Sequence, residues 1–152
     1  MKSSDFLIVF TLDNQRYALP LSASDRVVRM VAITLLPNAP EIILGVVNFQ
    51  GRVMPVINMR RRFGLPEREF LPSDQIVIAH TSRRCVALVA DAVLDVIACA
   101  GQSLIAAEDI LPGVAYVDGV VKLADGLIFI HDLDRFLSLD EESTLDRVLK
   151  TA

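Results

Sequence analysis

A chain of 152 residues with a formal net charge of -4 and 15 Lys and Arg lacks the basic excess that phosphate neutralisation requires, which argues against a nucleic-acid binder. Its apolar fraction of 53% and mean hydropathy of +0.47 are high for a protein without membrane spans, so either nearly every element is buried or apolar surface is kept for a partner. The longest uncharged stretch, Val96 to Ala107, is about a dozen residues where a membrane helix needs roughly twenty, and Met1-Lys2-Ser3-Ser4-Asp5 carries no secretory pattern; the expectation is a cytoplasmic protein with no direct membrane insertion.

Strand signals dominate in chain order. Phe6 to Leu12 is continuously apolar, as in a strand covered on both faces, and Asp13-Asn14-Gln15 turns the chain into the alternation of Tyr17, Leu19 and Leu21. Asp25 to Val31 reads as a strand with Val27, Arg29 and Val31 on one face and Arg26, Val28 and Met30 on the other. Pro37-Asn38-Ala39-Pro40 is a rigid turn. Ile43 to Phe49 and Arg52 to Asn58 then form a hairpin across Gln50-Gly51, with glycine supplying a positive φ. Arg60-Arg61-Arg62 reads as a solvated turn. Glu67 to Asp74 is a polar connector between two lobes.

The second half repeats the style. Gln75 to His80 and Cys85 to Asp91 form a hairpin across Ser82-Arg83-Arg84, Val93 to Ile97 follows, and Val120 to Leu123 and Leu127 to His131 are joined at Ala124-Asp125-Gly126. Helix is confined to the end, where Ser138-x-x-Glu141 is a capping box and Leu145, Val148 and Leu149 share one face. The expected fold is all-β with a short C-terminal helix, in two small barrels, because closing each sheet removes exposed strand edges.

The same residues include a few groups that catalysis or metal binding could use. His131-Asp132-Leu133-Asp134 has no second cluster to complete a metal site. His80 and Cys85 flank a turn between core strands, where a thiol is usually inert. Cys85 and Cys99 sit in apolar runs and read as reduced, buried thiols. No phosphate loop, nucleophile elbow or paired-Cys motif is present. The residues therefore predict neither an enzyme nor a cofactor; a small β-barrel that binds a ligand inside is the alternative to a protein-binding adaptor.

The stretch Gly45-Val46-Val47-Asn48-Phe49-Gln50-Gly51-Arg52-Val53-Met54-Pro55-Val56-Ile57-Asn58-Met59-Arg60 resembles the signature of the CheW-like domain, G-V-x-N-L-R-G-x-x-x-P-V-x-D-L-R. Phe6 to Leu12 with Tyr17, Leu36-Pro37-Asn38-Ala39-Pro40, Val86 to Val93, and the segment from Leu111-Pro112-Gly113 through Gly126-Leu127-Ile128 and His131-Asp132-Leu133 to Phe136-Leu137-Ser138 extend the likeness. The resemblance implies two five-stranded SH3-like barrels around a shared core, in a single domain over 5–150. Its lobes are expected at 15–72 and at 5–14 together with 73–137, with the helix at 139–150. It also implies a bacterial chemotaxis adaptor in two-component signal transduction, bound to the cytoplasmic tip of chemoreceptors and to the regulatory domain of the histidine kinase CheA. On this reading Arg26, Val28, Asn48, Gln50, Arg52 and Val53 are the protein-binding candidates, and Gly45, Gly51 and Pro55 are structural. The family usually pairs an arginine in N-L-R-G with a glutamate near Val27; here those positions hold Gln50 and Arg26, so both partners of the charge pair are replaced. Asn58 stands where the usual residue is aspartate.

Overall fold

A computed structural model describes residues 6–98, 103–106, 117–123 and 126–151. Among these residues the chain runs β1 (Phe6–Leu12), β2 (Gln15–Pro20), β3 (Ser24–Arg29), β4 (Ile43–Phe49), β5 (Arg52–Ile57), α1 (Met59–Arg62), β6 (Gln75–His80), β7 (Cys85–Ala90), β8 (Ala92–Ala98), β9 (Ser103–Ala106), β10 (Val117–Leu123), β11 (Gly126–His131) and α2 (Leu139–Thr151). The strands form two sheets, ordered β8-β1-β2-β11-β10-β9 and β3-β6-β7-β5-β4. The fold is thus the expected all-β pair of lobes with a C-terminal helix. Three sequence expectations need correction. The first sheet has six strands rather than five, because β9 pairs with β10. The lobes divide the chain differently from 15–72 and 5–14 with 73–137: β2 stays with β1 through their hairpin, and β6 and β7 join β3 and β5 in the second sheet. Helix is not confined to the end, since α1 follows β5 directly. Cys99, Gln102, Leu111-Pro112-Gly113 and the first two residues of Ala124-Asp125-Gly126 lie outside the described residues.

The apolar runs are explained by three clusters of buried side chains. On β1, Leu7 and Val9 point into the interior of the first lobe with Ala18, Val121, Ile128 and Ile130, while Ile8, Phe10 and Leu12 face the opposite way into a core shared by both sheets. β6 and β7 mirror this from the other side: Ile76, Ile78, Ala87 and Val89 fill the second lobe, and Val77, Ala79, Val86, Leu88 and Ala90 enter the shared core. A strand between two cores has no wet face, so its residues are apolar without alternation. Each fully buried Leu or Phe in these clusters contributes roughly 1.5–3 kcal/mol.

The helix closes the shared core. Ser138 and Glu141 form the predicted reciprocal cap, the Glu141 N–H donating to Ser138 Oγ at 3.2 Å and the Ser138 N–H to Glu141 Oε1 at 2.7 Å. Leu145 is fully buried in the core, and Arg62 of α1 donates to Glu141 at 2.8 Å. Arg84, from the β6–β7 turn, donates to the buried Glu142 at 3.0 Å and also reaches Asp146.

The segment that follows β3 is brought against β4, an outer strand of the second sheet, where Thr34 bridges Val46, each accepting the other's N–H. Gly45 permits this approach. Its φ is +155°, and a Cβ there would lie 2.3 Å from the Thr34 carbonyl oxygen and 2.8 Å from Ile33. Since the nearest atom is backbone, the clash cannot be relieved by a rotamer change. Gly45→Ala is expected to lower unfolding free energy by about 2 kcal/mol or more in denaturant titration; a variant as stable as the parent would show that this bridge does not constrain the lobe.

Candidate functional site

The sequence candidates gather around the β4–β5 hairpin. Gln50 and Gly51 both have positive φ, 52° and 83°, the pair of values a two-residue turn of this handedness requires. Asn48 is used by the turn itself, its Oδ1 accepting from the Gly51 N–H at 3.1 Å. Asn48 lies opposite Val53, and Phe49 opposite Arg52. Val53 is 58% exposed. Val28 is half-buried and packs into the second-lobe interior beside Phe49. Arg26 reaches the same place from β3, with Cζ 5.5 Å from the centre of the Phe49 ring. Arg52 turns to β7, Nη2 lying 2.8 Å from Cys85 Sγ. The structure therefore unites Arg26, Phe49 and Arg52 at one end of the lobe, while exposed Val53 shares the other face of the hairpin with Asn48, and Val28 and Asn48 serve mainly packing and turn geometry. Pro55 is buried opposite Val46, just ahead of Val56, where the parallel pairing of β5 with β7 begins, so its missing N–H breaks no ladder bond there.

Two surfaces escaped the sequence reading. The first is an open apolar groove of about 610 Å³ on the second lobe, between the Met30 to Leu35 segment, Leu44 and the Phe70-Leu71-Pro72 connector. Leu35 is 81% exposed there, and Val31, Phe70 and Leu71 are also exposed. Groove and arginine end lie toward opposite ends of β4, Leu44 to Phe49, roughly 16 Å apart at a strand's rise per residue. The second surface is β8, outermost in the first sheet, which exposes Leu94 and Val96. Neither was legible from periodicity, because the groove joins segments about forty residues apart and an exposed Leu looks like a buried one in a string of letters.

A polar seam fixes the lobes beside these surfaces. Arg60 is 8% exposed, so the expected solvated turn at Arg60-Arg61-Arg62 is corrected: helix α1 turns Arg60 inward. Its guanidinium donates to Asp13 in the β1–β2 turn at 2.6 Å, to Asp91 at the β7–β8 junction at 2.8 Å and to the Pro66 carbonyl at 2.9 Å. Arg68 donates to Asp91 at 2.6 Å and to the buried Asp74 at 2.8 Å. Burial alone would push the Asp91 carboxyl up. The Asp13 N–H and the guanidiniums of Arg60 and Arg68 outweigh it and hold the carboxyl below its ordinary range. Asp74 is likewise raised by burial but lowered on balance by Arg68 and the Leu71 N–H. At the rim, Asn58 donates to Glu67 at 2.5 Å, and its Oδ1 accepts from the Arg61 N–H as the cap of α1.

The residues weighed for chemistry have structural surroundings. His131 is buried, stacked 4.3 Å from Phe63 and 5.1 Å from Tyr17. Asp132 caps the short turn of Leu133–Arg135. His80 Nδ1 lies 2.8 Å from Asp25. Cys85 is half-buried rather than buried as expected. Among the described residues no group of three or more His, Cys, Asp or Glu side chains is placed to hold a metal ion, and no helix is long and apolar enough to cross a membrane. The second-lobe interior is filled by Val47, Met54, Val56, Ile76, Ile78, Ala87 and Val89, which leaves the interior-ligand alternative without support.

Comparison with known proteins gives the same picture. The CheW-like domain family matches residues 7–141. The chemotaxis protein CheW of Klebsiella aerogenes is 25% identical over 146 residues, spanning 95% of this chain and 88% of that protein. CheW of Bacillus subtilis is 28% identical over 153 residues, spanning 97% and 95%. The crystal structure of the scaffolding protein TtCheW from Thermoanaerobacter tengcongensis superposes with a TM-score of 0.81 at 29% identity, covering 91% of this chain and 95% of that one.

The seam sets an acid limit. An aspartate whose folded pKa is depressed stabilises the fold in full above its unfolded value of about 3.9 and loses that contribution as pH falls toward the lower folded value. Unfolding free energy is therefore expected to drop steeply once pH falls below about 4, and Asp91→Asn, which leaves Arg60 and Arg68 short of a charge partner, should cost about 2 kcal/mol at neutral pH and make the acid limb shallower. Denaturant titrations between pH 3 and pH 7 test both; an acid limb identical in the variant would exclude Asp91 as its source.

Proposed function

Because the chain belongs to the CheW-like domain family, we propose that it is a chemotaxis scaffold that couples the cytoplasmic tips of chemoreceptors to the regulatory domain of the histidine kinase CheA. It does so as a cytoplasmic, non-catalytic adaptor, its two lobes acting as one module.

The observation that carries this reading is the apolar groove between Met30–Leu35 and Phe70–Pro72. A helix seats one apolar stripe in a groove of this kind, with anchors at helical spacing, and needs no catalytic group beneath it. Receptor tips are helical in this reading, so the groove is their seat. Coupling also requires that two partners be held at once. The groove belongs to the second lobe, and Leu94 and Val96 of β8 leave a further apolar surface on the first. A rigid shared core between the lobes lets one partner be positioned relative to the other.

Co-sedimentation with receptor-bearing membranes, and CheA autophosphorylation in the same mixture, test the proposal. The protein is expected to enter the pellet and change kinase activity. Leu35→Asp places a charge on a side chain that is already solvated, so stability should change by less than about 0.5 kcal/mol, while receptor binding should weaken at least about tenfold, equivalent to 1.4 kcal/mol. If the parent protein neither sediments nor alters the kinase, the coupling reading fails; if only the variant's binding is unchanged, the groove is not the seat.

A further inference from the structure

Most arginines of this acidic chain have a carboxylate at hand. Arg60, Arg61, Arg62, Arg68, Arg83, Arg84 and Arg135 are all ion-paired. Arg26, Arg29 and Arg52 differ: all three are exposed, and among the described residues none has a carboxylate within ion-pairing distance. Arg26 and Arg52, the latter donating to Cys85 Sγ at 2.8 Å, converge on one place. Arg26 lies over the Phe49 ring, and Phe49 is the cross-strand partner of Arg52. The nearby acid on β3, Asp25, is engaged by His80 at 2.8 Å. Gln50 at the hairpin tip is uncharged, and Asn48 is committed to the turn.

We propose that Arg26 and Arg52 form a docking face for an acidic segment of a partner protein, presenting two carboxylates to the guanidiniums. Stacking on Phe49 holds the Arg26 guanidinium in place before binding, which lowers the ordering cost of each hydrogen bond formed. The planar fork of arginine then accepts a carboxylate in two parallel bonds. Charge complementarity selects the occupant: a net charge of -4 disfavours a broad anionic surface such as a membrane, whereas a short acidic segment meets only the local positive pair. This deepens the coupling reading by naming the chemistry of one partner contact, at the opposite end of β4 from the groove.

The test uses the full chain against two probes from the same organism, a receptor-tip fragment and the CheA regulatory domain, titrated between about 50 and 200 mM salt. For one probe, Arg26→Glu with Arg52→Glu should weaken binding about tenfold or more and flatten its salt dependence, while Arg26→Lys with Arg52→Lys should recover part of the loss. Replacing the acidic residues of that probe with arginine should restore binding to the Glu variant. Both substitutions lie on exposed side chains, and an unchanged thermal midpoint excludes loss of folding as the cause. Affinity and salt slope unchanged within about twofold for both probes would overturn the proposal; if Leu35→Asp still released the receptor fragment, the coupling reading would survive that result. Arginine-dependent binding to anionic lipid vesicles, with neither protein probe affected, would assign the pair to a membrane surface and overturn it equally. Failure of the parent protein to bind either probe would remove both readings together.

Discussion

The guanidinium of Arg60 is the point on which the two lobes depend. It leaves the second sheet on α1 and, nearly buried, holds Asp13 from the hairpin that opens the first sheet and Asp91 from the junction that returns to it. Apolar burial supplies most of the attraction between the lobes, but it is non-directional and tolerates sliding. Charge-assisted hydrogen bonds at 2.6 and 2.8 Å do not, because they weaken steeply with angle and distance. Arg68 and Asp74 complete the network, so Asp91 is held from two sides and neither arginine is left without a carboxylate. The seam thus gives the shared core a single register.

That register explains how so apolar a chain can have a polar function. Most of the excess is consumed by strands that serve two cores at once, β1 on one side and β6 and β7 on the other. What remains outside is organised: a groove at one end of β4, two guanidiniums at the other, and an apolar pair on β8. A rigid body with separate recognition surfaces is what a scaffold requires, since its output is the relative position of its partners rather than a chemical step.

The departures from the usual family signature take on meaning in this setting. Where the family resemblance implies a glutamate facing an arginine, Arg26 stacks on Phe49 and Gln50 occupies the left-handed position of the turn. The former ion pair has become an aromatic–cation contact. It costs the lobe no unpaired buried charge, because Arg26 stays at the surface. Its guanidinium thereby lies over the ring of the residue that pairs with Arg52 across the hairpin.

Local features were legible in the sequence because local physics decides them. The Gln50-Gly51 hairpin follows from backbone sterics, the Ser138–Glu141 cap from unsatisfied N–H groups at a helix start, and the two-sided burial of β1 from its unbroken apolar run. Tertiary structure decided the rest. Arg60-Arg61-Arg62 has the composition of a solvated turn, and only the placement of Asp13 and Asp91, 47 and 31 residues away, makes its first member a buried clasp. Sheet membership also had to come from the fold: β2 and β11 pair in parallel although far apart in sequence, and hairpin signals specify neighbours without saying which hairpins share a sheet. By itself the sequence determined most of the strands, their turns and the family they belong to, but not β9 or α1, since periodicity, turn chemistry and a contiguous signature are written residue by residue. The groove and the two guanidiniums that face no carboxylate were settled in three dimensions, because exposure and the choice of partner are properties of what packs nearby, and no residue carries that in its own identity.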